Sequence, residues 1–384
     1  MNLLVLSNGA GEDAIAAAIL EHLPQHTEVV VFPLIGAGSA YGSRWRRLGD
    51  GSAPPSQGLS NQSWRLWWRD LRHGLLGRVW RQWGLLRGYR GWAVLAVGDL
   101  VPCALAALAG LRPIYFVGTA KSVYHHAYSW PERLLLKKWV NRALVRDQPT
   151  ADFLTMHGMR AGYLGNAMLD ETVPSGLDLG FHKALALFPG SRSEAPRELP
   201  RQLRIWRRLQ ADFPCPAAVA VAPGMDLQSL VPEGYELRRT GLQRGVVGWL
   251  QGASCVPGGA YAPPPAPPTS VALVQGALGD LLAHSWVALG QAGTAHEQAA
   301  GAGVPVVTLH PDSQGKLGWY RGRQKGLLGE ALLVVPEDEE VAARTLARLA
   351  LDADERARRA AIGRERMGEP GGAARMAAWL ANQL

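Results

Sequence analysis

A chain of 384 residues that is 47% hydrophobic and 19% charged is too long for one ordinary core and too apolar for a disordered protein, so two folded domains are predicted. Its three cysteines, Cys103, Cys215 and Cys255, lie far apart with no C-x-x-C, which excludes a zinc cluster or disulfide framework and fits a reducing cytoplasm. The net charge of +8 is concentrated, since residues 44–92 hold ten Arg against two Asp and the remainder is close to neutral.

The first predicted element is a strand over 2–7, entering the glycine turn "NGAGEDA" and then the helical "EDAIAAAILEHL". Gly9, Gly11 and Ala14 fit the G-x-G-x-x-[GA] dinucleotide fingerprint. Glu12 and Asp13 in the first helical turn would repel a pyrophosphate, and the next strand, 27–32, ends at Pro33 with no acid for a ribose hydroxyl. The turn is therefore expected to bring another ligand, or another domain, close to the backbone. No charged n-region or cleavage site opens the chain, so no signal peptide is expected.

Further strands are predicted at 93–97, 113–117, 142–146 and 161–165, with a helix over 150–158 capped by Thr150 and closed by Gly158. The apolar run 100–111, between Asp99 and Arg112, is too short to span a bilayer. After 166–183 the pattern restarts with "ALALFPGSRSE" and a helix to about 212. Strands follow at 217–222, 271–275, 286–290 and 304–309, then helical segments from 341 to 384; the Pro-rich 256–269 should be an extended loop. This alternation predicts an α/β protein of two Rossmann-like domains, 1–166 and 167–384, with parallel sheets facing across a cleft. The last helix is a candidate to cross back to the first domain.

Two loops of the second half carry the strongest chemical signal. In "LALFPGSRSE" a strand ends at Pro189 and Gly190, and Ser191 and Arg192 lead into a helix whose first donors suit a phosphate. In "VALGQAGTAHEQAAGAGVPVVTL" the Gly293–Thr294 turn opens a short helix bearing Glu297 and Gln298. There Gly293 and Thr294 could donate to a diphosphate and Glu297 accept from ribose hydroxyls; an ordinary strand–helix turn is the plain alternative. In this order the pair predicts a nucleotide-diphosphate-sugar site.

With "GD" at 98–99 and "YLGNAMLD" at 163–170, these segments resemble the lipid A disaccharide synthases, and more closely the proteins related to them. The resemblance implies the GT-B fold, an acceptor-binding N-terminal domain and a UDP-sugar-binding C-terminal one, with no cofactor. It makes Gly190, Ser191, Arg192, Gly293 and Thr294 diphosphate contacts and Glu297 the ribose acid. The lipid A enzymes space that acid one residue further on, which would turn Gln298 into the site instead. Asp99 matches the first Asp of a D-x-P-D segment as general base, although Cys103 stands where a second Asp is expected. The opening turn would then face the acceptor: Asn8, Gly9 and Gly11 admit it, and Glu12 or Asp13 bind or deprotonate its hydroxyls or simply cap the helix. Lys121 and Ser122 follow a strand end and border the cleft, or belong to a polar loop.

Other chemistries find little support. The D-x-D at 352–354 precedes a helix and reads as a cap, the ten His show no metal-ligand spacing, and neither a nucleophile elbow nor a P-loop is present. The seven Trp of residues 44–92 are half of the total. Trp64, Trp67, Trp68, Trp80 and Trp83, interleaved with Arg, are expected to anchor the protein peripherally on the anionic cytoplasmic face of a membrane, with no nucleic-acid partner. The function expected is inverting, metal-independent transfer of a sugar from a UDP-sugar to a membrane-associated lipid acceptor. The alternatives are a non-hydrolysing UDP-N-acetylglucosamine 2-epimerase and a non-catalytic membrane adapter.

Overall fold

The computed structural model describes residues 2–35, 37–49, 83–190, 194–239, 241–252, 270–291, 293–310 and 316–384. Ser191, Arg192, Trp64, Trp67, Trp68, Trp80 and the Pro-rich loop lie outside the described residues. Two compact units emerge, Met1–Asp170 with Gly368–Leu384, and Glu171–Met367.

The sheet of the first unit is wholly parallel. Its strands are β1 (Asn2–Ser7), β2 (Glu28–Pro33), β3 (Arg46–Arg47), β4 (Ala93–Gly98), β5 (Ile114–Gly118), β6 (Arg142–Val145) and β7 (Ala161–Gly162), in the order β3-β2-β1-β4-β5-β6-β7. β1, β4 and β5 are nearly unbroken apolar runs because both faces are covered. Helix α1 (Ala10–Glu21) and the C-terminal α11 (Gly372–Ala381) bury Ile15, Ile19, Met376 and Leu380 on one face. Helices α2 (Leu100–Leu108), α3 (Trp130–Trp139) and α4 (Gln148–Met156) bury Cys103, Leu136 and Leu154 on the other. The apolar run at 100–111 is thus α2, a core helix.

Several local readings need correction. Helix α4 is capped by Asp147, whose carboxylate accepts from the Thr150 N–H at 2.8 Å, while the Thr150 hydroxyl accepts from the Val123 N–H at 3.1 Å. Pro149 in its first turn sets the helical φ before Thr150 is reached. The strand expected over 161–165 pairs only at Ala161–Gly162, because the next backbone groups serve the C-terminal segment. The Tyr163 hydroxyl accepts from the Glu369 N–H at 2.7 Å, the Leu164 carbonyl from Arg375 at 2.7 Å, and the Asn166 N–H donates to the Glu369 carbonyl at 2.8 Å. The Asp170 carboxylate accepts from the N–H groups of Gly371, Gly372 and Ala373, capping α11. The segment "YLGNAMLD" is therefore the socket of the last helix, and the first unit extends to Asp170 where a boundary at 166 was expected. Trp83, one of the candidate membrane anchors, packs half-buried on the first core and donates to the Leu108 carbonyl at 2.9 Å, one of the carbonyls left over at the end of α2.

The second unit repeats the plan. Its strands are β8 (Ala184–Phe188), β9 (Ala217–Ala220), β10 (Tyr235–Arg238), β11 (Val246–Gly252), β12 (Ser270–Val274), β13 (Ser285–Gly290), β14 (Val306–His310) and β15 (Leu332–Pro336), in the order β10-β11-β12-β9-β8-β13-β14-β15. All pairings are parallel except β10–β11 and β11–β12, an antiparallel extension of one edge. β10, β11 and β15 were not expected, since β10 is a four-residue exposed edge and β11 is broken by a bulge between Val246 and Gly248. Its helices are α5 (Ala195–Asp212), α6 (Leu278–Ala283), α7 (Gly293–Gly301), α8 (Lys316–Leu328), α9 (Glu339–Leu351) and α10 (Ala353–Met367). Asp352 accepts from the Glu355 N–H at 2.7 Å and so caps α10. Among the described residues no helix is long and apolar enough to cross a membrane.

Numbered by their own parallel strands, the first sheet runs 3-2-1-4-5-6-7 and the second 3-2-1-4-5-6, apart from its antiparallel edge extension. The strand order reverses between β1 and β4 in the first unit and between β8 and β13 in the second. In open α/β sheets ligands bind beyond the carboxyl ends of the strands at such a reversal.

Candidate active site

At the first reversal, β1 ends in Ser7–Asn8 and β4 in Gly98–Asp99. The Asn8 amide donates to Asp99 Oδ1 at 2.7 Å, and the Val101 N–H donates to the same oxygen at 2.8 Å. Asp99 is thus the cap of α2. Burial raises the Asp99 carboxyl above its usual range, against the pull of the Val101 and Asn8 hydrogen bonds. Gly98 sits at φ +130°, which favours glycine, and a Cβ there would push the Asn8 amide from its place. Glu12 folds back over Gly9 and accepts from the Thr119 hydroxyl at 3.4 Å.

Asp13 is placed differently. It is 2% exposed, accepts from the Ser7 hydroxyl at 2.5 Å, and Ser7 in turn bonds the Tyr41 hydroxyl at 2.6 Å. Burial pushes its carboxyl up to about 6, with Ser7 lowering it and Glu12 adding to the rise. Asp13 is therefore enclosed and does not cap α1, while Asp99 and Glu12 are the more open acids at this end of the sheet. Gly11 is exposed with open space where a Cβ would stand, so no close approach explains it. Lys121 is held by Glu132 at 2.7 Å, and Ser122 is 2% exposed, its hydroxyl accepting from the Tyr124 N–H. Each is engaged within its own loop and the start of α3.

At the second reversal, Gly190 follows β8 at φ +111°, a conformation that favours glycine, and Gly293 and Thr294 open α7 after β13. The ends of β8 and β13 are tied by the Gln291 N–H, which donates to the Phe188 carbonyl at 3.2 Å. A Cβ on Gly290 would come within 2.7 Å of Phe188 Cβ and 3.0 Å of His296 Nε2, so glycine lets these two elements close together. His296 is fully buried with its Nδ1 3.3 Å from Gln324 Oε1, and the Gln324 amide donates to the Gly293 carbonyl at 3.1 Å. That pair fixes the start of α7.

Burial separates the two candidate ribose ligands of α7. Thr294 is exposed and Glu297 half-buried. Gln298 is buried and donates to Glu171 at 3.3 Å. Glu297 is thus the more open of the two. Composition did not flag Ser7, Tyr41, His296 or Gln324; only Ser7 had a usable signal, as the last residue of a buried strand.

Two sheets of mostly parallel strands, each with polar residues at its reversal point, define the GT-B fold. No family model and no curated protein sequence matches the chain. Solved structures do: the S. aureus MnaA–UDP structure aligns at TM-score 0.57 and 13% identity over 98% of this chain and 94% of that one. The UDP-GlcNAc 2-epimerase from Neisseria meningitidis bound to UDP-GlcNAc aligns at TM-score 0.53 and 12% identity, and MurG of Acinetobacter baumannii at 0.55 and 11%, each over 100% of both chains. At such identities what is shared is the fold, and the fold serves both glycosyltransferases and epimerases.

Proposed function

We propose that the protein is a glycosyltransferase, of the kind the lipid A disaccharide synthases represent, moving a sugar from a UDP-sugar to a membrane-associated lipid acceptor at the cytoplasmic face of a membrane. The observation that carries this reading is the β8/β13 reversal, where the Gly190 turn, the N-terminus of α7 and Glu297 come together. Helix N-termini hold phosphates, Arg192 follows Gly190 by two residues in sequence as a cation for a diphosphate, and Glu297 takes the ribose hydroxyls. The neighbours solved with UDP and with UDP-GlcNAc support the nucleotide half. The lipid half rests on the sequence resemblance and on the Trp/Arg composition of 44–92.

In this reading the reaction is one displacement with inversion, without metal ion or cofactor. The acceptor oxygen attacks the anomeric carbon, the bond to the diphosphate breaks, UDP leaves, and the hydroxyl proton passes to the Asp99 carboxylate. Backbone donors of α7 and Arg192 stabilise the charge growing on the leaving diphosphate. Calorimetry with UDP tests the donor site: Arg192→Ala should weaken binding by about 1.5–3 kcal/mol, and equal affinity in the variant would remove Arg192 from it.

The second reading, a UDP-N-acetylglucosamine 2-epimerase, is favoured by the epimerases among the structural neighbours. Incubation with UDP-GlcNAc alone separates the two. An epimerase forms the C2 epimer with no acceptor present, whereas a transferase leaves the nucleotide sugar unchanged until an acceptor is added.

A further inference from the structure

Asn8 stands where a helix cap is expected and does not cap. It precedes Gly9, the residue at the start of α1, and an Asn there ordinarily accepts from the first N–H groups of the helix. Its Oδ1, the atom that would accept them, is buried and meets no donor among the described residues. The other end of the amide is engaged, and across the sheet: it donates to Asp99 Oδ1 at 2.7 Å. Asn8 follows the last residue of β1 and Asp99 the last residue of β4. The bond therefore ties the two strand ends on either side of the reversal.

Two neighbours hold the amide in this pose. Gly98 leaves the space that Asn8 Oδ1 enters, and Glu12 closes that space from α1, its Cγ 3.3 Å from where a Gly98 Cβ would stand. Enclosing an oxygen without a donor is unfavourable; what offsets it is the bond to a carboxylate, the stronger kind of hydrogen bond. Asp99 lies between opposed influences: burial raises its carboxyl most, the Val101 N–H and the Asn8 amide lower it, and Glu132 of α3 adds to the rise. Cys103 of α2, Tyr128 and Glu12 are the other ionisable groups around it, and none is a cation. An Arg or Lys in place of Asn8 would keep the carboxylate charged but make it a poor base. An amide donates without a charge, so the group stays ionised and still basic.

We propose that Asn8 is the positioning residue of the Asp99 base: its amide fixes the carboxylate across the reversal and keeps it ionised to take the acceptor's proton. The proposal rests on the glycosyltransferase reading for the reaction served; the tie itself stands on the geometry at the ends of β1 and β4. It also moves Asn8 from the acceptor contacts expected of the opening turn to the support of the base.

Carbon-13 NMR of the whole protein, labelled at the Asp side-chain carboxyls, tests it, with Asp99→Asn identifying the Asp99 signal and the melting shift produced by UDP followed alongside. Asn8→Leu, similar in volume but without a donor, should move the Asp99 titration up by about one pH unit or more, the effect of losing one hydrogen bond to a charged group. The UDP melting shift should stay as in the wild type. Asp13→Asn, altered at the same end of the sheet but not in contact with Asp99, should leave the Asp99 titration in place. If Asn8→Leu does not fold, Asn8→Ala removes the same donor and should move the titration the same way. A role in packing alone would lower the melting temperature of these variants without moving Asp99. An Asp99 titration that stays at its wild-type pH in the folded Asn8 variant overturns the proposal. A titration that moves as expected, in a protein whose melting UDP does not shift, would uphold the tie and sink the UDP-sugar reading instead.

Discussion

Two carboxylates close to the end of β1 and β4 are treated in opposite ways by their surroundings. Asp99 Oδ1 accepts from Asn8 and the Val101 N–H, and in the proposed reaction the carboxylate takes the acceptor's proton. Asp99→Asn should therefore leave UDP affinity unchanged while lowering transfer by about two to four orders of magnitude; a variant that turns over at the wild-type rate would shift the role of base to Glu12. Asp13 is enclosed with Ser7 and Tyr41, and its carboxyl sits at about 6 in place of 3.8. Because the folded state holds this proton more tightly, stability from the group is complete below the unfolded value near 3.8 and falls as pH rises through about 6. Asp13→Asn, which can still accept from Ser7, should be more stable than the wild type at pH 7.5 by about 1–2 kcal/mol, with the gap closing by pH 4. Urea titrations at the two pH values check this, and a gap independent of pH would contradict it. Both acids were visible in the sequence, but their division of labour was not, since Tyr41 covers Asp13 from a segment outside the motif.

Among the elements, the C-terminal helix is fixed by a socket far from it in sequence. Three N–H groups at the start of α11 fall on Asp170, and the Gly372 backbone lies so close to the socket that a Cβ would come within 2.5 Å of the Ala167 nitrogen. Asp170→Ala should cost about 1–2 kcal/mol as the loss of a helix cap, measured by urea unfolding. It should also speed hydrogen exchange across 372–381, and unchanged exchange there would show that α11 docks through its apolar face alone. "YLGNAMLD" drew attention as part of a family resemblance, and its residues turn out to hold a helix. The strands that sequence reading missed, β3, β10, β11 and β15, are the ones whose pattern is short or bulged, or that follow directly on a helix. Those it found, β1, β4, β5 and β8, are the doubly covered runs whose burial is written in consecutive apolar residues.

For the whole molecule, a ligand that binds one unit's folded state must stabilise it by mass action. UDP at a hundred times its dissociation constant should contribute about 2.7 kcal/mol. Glu297→Gln should lose part of that shift, while Gln298→Ala, whose wild-type side chain turns to Glu171, should keep the nucleotide-dependent part even if its own stability falls. Equal loss of the UDP shift in both variants would mean that the bond from Gln298 to Glu171 does not decide which residue meets the ribose.

The sequence by itself determined the α/β class, two Rossmann-like units, the glycine turns at the strand ends and the order of the two phosphate-type loops. All of these follow from local periodicity and from the backbone freedom of glycine at particular positions. Only the tertiary structure decided that Asp13 is buried and Asp99 half open, that Lys121 is taken up by Glu132, that Gln298 turns inward and Glu297 does not, and that "YLGNAMLD" receives the last helix. These outcomes depend on which distant segment covers each group. A hydrogen bond, or the removal of a carboxylate from water, is decided by neighbours in space, and sequence spacing does not supply those neighbours.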